Sequence, residues 1–105
     1  MPASLHLLVV RSSVDSKIEN DWNDWYDRKH LPEIAQCPGF MGGSRYISVD
    51  EHGRHRYLAI YEIADPNALM SKEFTERRGW GPFSGLVEYE SRVYSLINAP
   101  IGSDR

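Results

Sequence analysis

A strand that is apolar on both faces leaves few folds open, and the segment His55–Ile63, HRYLAIYEI, reads as such a strand. Alternation puts Tyr57, Ala59, Tyr61 and Ile63 on one face and Leu58, Ile60 and Glu62 on the other. A sheet that contains it needs cover on both sides. At 105 residues the chain is expected to be one domain, 1–105, with a modest core. A two-layer domain supplies helices for one sheet face only, so the other face is expected to meet a second copy, giving a homodimer or larger homo-oligomer.

The flanking segments supply the rest of that sheet. Leu5 to Arg11, LHLLVVR, reads as a buried first strand. Ser16 and Glu19 make an S-x-x-E capping box that opens a first helix running to about His30. Pro32 is expected to push Leu31 out of helical geometry, with a short further turn from Pro32 to Gln36. After Cys37-Pro38-Gly39, Phe40 to Val49 alternates as a second strand, and Gly42-Gly43 marks a bulge or a close approach to the backbone. The turn Asp50 to Gly53 then makes a hairpin with the third strand. Asp65-Pro66 opens a second helix through Leu69, Met70 and Phe74 to about Arg78, where Gly79 ends it. The last strand is placed at Glu90 to Asn98. This order predicts an α+β fold, a ferredoxin-like βαββαβ unit with a four-stranded antiparallel sheet and helices on one face.

Composition excludes several classes of function. Apolar residues at 41% and charged residues at 26% are ordinary for a globular chain. The net charge of −3 and the lack of a basic run argue against a nucleic-acid partner. One cysteine precludes an internal disulfide or a cysteine-rich zinc site. Leu7 to Val10 is too short for a membrane span or a signal core, so no membrane partner and a cytoplasmic location are expected.

Chemistry concentrates in Asp21 to Phe40, DWNDWYDRKHLPEIAQCPGF. At 3.6 residues per turn, Trp22, Trp25 and Tyr26 share a face, with His30 one turn beyond Tyr26. A helix that only filled a core would use Leu, Ile and Ala, since buried indole, phenol and imidazole groups each need a partner. The pattern points to a pocket.

The motif W-Y-x-x-x-H-L-P (Trp25, Tyr26, His30, Leu31, Pro32), with Pro38-Gly39-Phe40, Arg45-Tyr46, Tyr57 to Glu62 and Asp65-Pro66, resembles the dimeric α+β barrel superfamily, and within it the EthD-like proteins. The resemblance spans roughly residues 5 to 98 and implies a dimeric α+β barrel. The superfamily includes cofactor-free monooxygenases, polyketide cyclases, muconolactone isomerases and haem-degrading enzymes, so fold alone does not select a reaction. Resemblance to the cyclases implies a cavity between sheet and helices with His6, Tyr26 and Asn98 in its lining. The cyclases' catalytic histidine after the second helix has no counterpart here, where Arg77, Arg78 and Trp80 stand instead.

His30 is the candidate acid or base, because imidazole exchanges a proton near neutral pH. The alternative is a histidine capping helix carbonyls. Tyr26 is the candidate donor to a substrate oxyanion, with a plain core tyrosine as its alternative. Expected substrate contacts are His6, Trp22, Trp25, Tyr46, Tyr57, Arg77, Arg78, Trp80 and Asn98. The arginines would clamp a carboxylate, and Gly79 to Gly85, carrying Trp80 and Phe83, would form a lid. Trp22 also reads as packing, and Cys37 as a small buried hydrophobe rather than a nucleophile. The histidine spacing matches no metal site, and the glycines make no nucleotide or flavin loop, so no cofactor is expected. The favoured reading is a cofactor-independent isomerase, tautomerase or cyclase acting on a small oxygenated, conjugated or aromatic-derived acid. The rivals are a cofactor-free monooxygenase of phenols, and a non-catalytic binding protein for a hydrophobic intermediate, with haem binding as a further variant.

Overall fold

The computed structural model describes residues 6–50, 52, 54–98 and 101–102. Four strands, β1 (His6–Val14), β2 (Phe40–Ile47), β3 (Tyr57–Ile63) and β4 (Val87–Ser95), form one antiparallel sheet in the order β2-β3-β1-β4. This is the ferredoxin-like arrangement expected from the element order. The register pairs Leu8 with Tyr61 and Val93, and Val10 with Ala59 and Ser91, so the inward positions of the strands line up. The helices α1 (Glu19–Trp25), α2 (Leu31–Ala35) and α3 (Lys72–Arg77) cover that face. Between the layers lies a core of Leu8, Trp22, Tyr26, Ile34, Tyr61 and Phe74, among others.

Several boundaries depart from the sequence reading. The capping box does not form: α1 starts after Ile18 with no side-chain cap. The Asp15 carboxylate accepts the Lys17 N–H instead, and Glu19 turns away to accept the Tyr57 hydroxyl and to pair with Arg56. A residue held by a strand cannot also reach back to cap its own helix.

Leu31 keeps helical angles, φ −60° and ψ −50°, and the chain winds on without a break into α2. What makes this possible is a π-helical turn, Tyr26–His30, closed by the Leu31 N–H donating to the Tyr26 carbonyl. Pro32 lacks the N–H an α-helix needs and crowds the carbonyl four residues back; the widened turn just before it relieves that conflict without a kink.

The second helix is also two pieces. Asp65 does cap, accepting the Asn67 N–H at 2.7 Å, but Pro66–Met70 is a 3₁₀ turn. Ser71 is extended and accepts the Phe74 N–H, starting α3 afresh. A serine that bonds a backbone N–H three residues on favours a cap over a helix interior. Gly79, at φ +102°, ends the run in a conformation that other residues avoid.

Gly42-Gly43 satisfies both expectations. The register slips between Phe40 and Gly42, leaving Met41 as the extra residue, and a Cβ on Gly43 would lie 2.8 Å from the Tyr61 ring. The Ser48 N–H bonds the Arg56 carbonyl at 2.8 Å and carries the β2–β3 ladder toward the hairpin; Glu51 and Gly53 of its turn lie outside the described residues. β4 begins earlier than expected because β1 runs on to Val14, which pairs with Val87; it ends at Ser95, opposite His6. No helix among the described residues is long and apolar enough to cross a membrane.

Candidate active site

A cavity of about 470 Å³ opens between sheet and helices. Leu8, Val10, Tyr61, Tyr89 and Ser91 form its sheet side; Tyr26, His30 and Ile34 form its helix side; Thr75 belongs to α3, and Arg78, Gly79 and Trp80 to the segment that follows it. Mostly apolar walls with a few convergent polar groups are what a small-molecule site presents.

His30 is 7% exposed. Its ring stacks on Trp25, with centroids 4.6 Å apart at 14°, and meets Tyr26 edge-on at 4.9 Å and Trp80 at 5.7 Å. The π turn is what permits the stack. On an α-helix a residue five positions on lies about 140° round the cylinder, whereas i→i+5 bonding brings it back toward its predecessor. Burial, and then the charge of Arg45, lower the His30 pKa to about 4, so the ring is neutral at pH 7. It then has one N–H donor and one bare nitrogen, neither of them hydrogen-bonded among the described residues.

The Tyr26 and Tyr61 hydroxyls lie 3.3 Å apart. Burial raises both phenol pKa values, Tyr61 well beyond the ordinary range, so both stay protonated. When one donates to the other, a single O–H remains for a ligand. The cavity therefore offers a neutral base and an uncharged donor pair.

Of the residues singled out in the sequence, Tyr26, His30, Arg78 and Trp80 line this cavity. Trp25 contributes from behind, holding the imidazole; Gly81 at φ +50° packs so closely that a Cβ there would come within 2.9 Å of the Trp25 ring. Trp80 is 8% exposed and packs on Trp22, Tyr26, His30 and Tyr89, so the expected lid segment seats its tryptophan in the cavity wall.

The others lie elsewhere. Trp22 has no exposed surface, and Tyr57 donates its hydroxyl to Glu19 while accepting from Asn23, so both are buried behind Tyr26. His6 is at the strand end, 3.0 Å from the Ser95 hydroxyl. Tyr46 is opposite Leu58 on the outer face, 55% exposed, because its β2 position points away from the helices. Asn98 is exposed beyond the end of β4. Arg77 is committed to the Glu33 carbonyl at 3.2 Å and to Cys37. Cys37 is buried and away from the cavity, and burial pushes its thiol up in spite of Arg77.

The site reading from sequence passed over Arg45 and, as a pair, Tyr26 with Tyr61. Arg45 shares the helix-facing side of β2 with Gly43 and Ile47, and a charge at an inward strand position was the available signal. Its guanidinium sits 4.1 Å over the Tyr26 ring and donates to Asp27 and Asn23, each at 2.7 Å. Among the described residues no group of three or more His, Cys, Asp or Glu is placed to hold a metal.

The fold is the one seen in solved EthD-family and monooxygenase-like α+β proteins. More narrowly, residues 6–91 match the family described as Domain of unknown function (DUF4286), and the chain belongs to that family. In structure it is similar to a candidate monooxygenase from Shewanella loihica PV-4, with a TM-score of 0.70 at 16% identity over 94% of this chain and 99% of that one. SnoaB, a cofactor-independent oxygenase from Streptomyces nogalater, gives 0.66 at 17% identity over 92% and 97%. An EthD-family protein from Bacillus halodurans C-125 gives 0.65 at 12% identity over 89% and 100%. In sequence, Core atranone cluster (CAC) protein 1 of Stachybotrys chlorohalonatus (strain IBT 40285) is 31% identical over 87 residues, which takes in 75% of this chain and 37% of that protein. The chain thus spans little more than a third of that relative's length.

Proposed function

We propose that the protein is a cofactor-independent enzyme that relocates a proton on a small oxygenated, conjugated or aromatic-derived acid, by isomerisation, tautomerisation or cyclisation. The observation that carries this reading is the meeting of His30 with the Tyr26–Tyr61 hydroxyl pair in one largely apolar cavity. His30 takes the proton, and the free phenol O–H steadies the enolate oxygen that results. An imidazole at about 4 is a weaker base than a free one at 6.5, a deficit of about 3 kcal/mol. Coulomb attraction between the imidazolium and an enolate formed about 4 Å away is worth about 4 kcal/mol at an effective dielectric of about 20, which offsets the deficit. Arg78, exposed on the cavity rim and without an ion pair among the described residues, is the group that meets a substrate carboxylate. The proposal includes a homodimer and a cytoplasmic setting.

A second reading has its own support: SnoaB, similar in fold, is a cofactor-independent oxygenase. The same proton removal from a phenol would then prepare the substrate itself for attack on O₂. One experiment separates the two. Conjugated keto acids and phenols are incubated with the enzyme under nitrogen and under air, with oxygen uptake and product NMR followed together. The isomerase reading requires conversion under nitrogen, and conversion that needs oxygen replaces it with the oxygenase. Loss of about 10²- to 10⁴-fold in turnover in His30→Ala is expected either way. Binding without conversion, indifferent to His30→Gln, would leave only the non-catalytic binding protein.

A further inference from the structure

Arg45 is the most enclosed cation near the cavity, yet it is not in the cavity lining. It stands opposite Ala59 on β3, whose small side chain leaves the guanidinium room to lie flat beneath α1. There it covers Tyr26 at 4.1 Å and approaches Trp22 at 5.1 Å and Tyr57 at 5.3 Å. Its two terminal nitrogens are both engaged, one to the Asp27 carboxylate and one to the Asn23 carbonyl oxygen. The Arg45 side chain is 11% exposed, whereas that of Asp27 is 62% exposed. Water screens the carboxylate far more than the guanidinium, so the pair presents a net positive charge to the interior.

We infer that Arg45 is a positioning residue of this site: stacked on Tyr26, whose ring meets His30 edge-on at 4.9 Å, it fixes where that phenol points and places a locked positive charge behind the imidazole. The inference rests on the reading of His30 and Tyr26 as the reacting pair, but it is a statement about the free protein. The titratable and charged groups grouped with His30 around the cavity are Tyr26 from its own segment, Tyr61 from β3, Tyr89 from β4 and Arg78 after α3, with Arg45 of β2 behind. Burial keeps the Tyr26 and Tyr61 phenols uncharged at neutral pH. Arg78 is exposed and screened by solvent, which leaves Arg45 as the enclosed charge acting on the imidazole. Removing it should ease protonation of His30, and replacing it with another cation should not.

The test is an NMR titration of the His30 ring in wild type, Arg45→Met and Arg45→Lys. Arg45→Gln substitutes for the Met variant if that one does not fold. The wild-type midpoint is expected near 4. The uncharged variant should titrate about one pH unit higher, and Arg45→Lys should stay with wild type. A structural role alone would lower the melting temperature in all variants without sorting the midpoints by charge. Equal midpoints in wild type and the uncharged variant, or a lysine variant that moves as far as the uncharged one, would overturn the inference. No substrate enters the measurement. Failure of the turnover experiments therefore refutes the reaction and not this role, while failure of the titration refutes this role and not the reaction.

Discussion

His30 makes the stability of the fold sensitive to pH in a calculable direction. Its pKa falls from 6.5 to about 4 on folding, chiefly through burial, so between those values the unfolded chain binds the extra proton. Stability is full above pH 6.5 and is lost as the pH falls toward 4. Between pH 6.5 and pH 5 the wild type should lose about 2 kcal/mol more than His30→Phe, which keeps an aromatic ring against Trp25 and cannot titrate. Urea melts of the two proteins at those pH values measure it, and parallel losses would refute the burial that the structure gives to this ring. The identity of this residue was legible because a histidine one turn past a Trp-Tyr pair is costly to bury without purpose. Tyr61, the hydroxyl partner of Tyr26, was harder to see, because that pairing joins residues 35 positions apart across two layers. Periodicity names faces; it does not say which residue of one face touches which of another.

At the scale of elements, alternation and helix signals carried the order of strands and helices, and local competition decided their ends. The π turn of Tyr26–His30 was hidden because no residue type demands one; it answers Pro32 and the packing of three aromatic rings at once. The β2 glycines were legible, and they differ in what they bear. A Cβ on Gly43 would come to 2.8 Å from Tyr61 and 3.2 Å from Leu31, while one on Gly42 would meet nothing within 4 Å. Gly43→Ala must therefore push the Tyr61 ring, disturbing its hydroxyl contact with Tyr26 and costing about 1–3 kcal/mol. Gly42→Ala should stay within about 0.5 kcal/mol of wild type, since it adds a methyl to open space at the sheet edge. Thermal melts of the pair decide the point: equal losses would mean that the close approach of β2 to Tyr61 is not real.

On the scale of the whole molecule, one face of the sheet has no helix over it among the described residues. Its centre is Val9, Leu58 and Ile60, with Leu7, Tyr46 and Tyr94 beside them. Around that centre stand Glu62, Arg92 and the Arg11–Glu90 pair at 3.5 Å. An apolar middle with a charged border is the make-up of a protein interface, and Tyr46 and Tyr94, 55% and 42% exposed, are the residue type that such interfaces favour. A chain of this size also gains most from association, because its own core is small. Sedimentation should therefore give twice the mass of the chain. Ile60→Lys places a charge at the middle of that face, cross-strand from Val9, and should yield a folded monomer or raise the dissociation constant at least about 100-fold, the effect of losing a central anchor worth about 3 kcal/mol. His30 and Tyr26 belong to the opposite face, so the chemistry offers an independent control: ligand binding by the variant reports whether the cavity survives alone. If Ile60→Lys sediments exactly as wild type does, the two-faced strand is covered by something other than a second copy, and the homodimer is lost while the cavity is untouched.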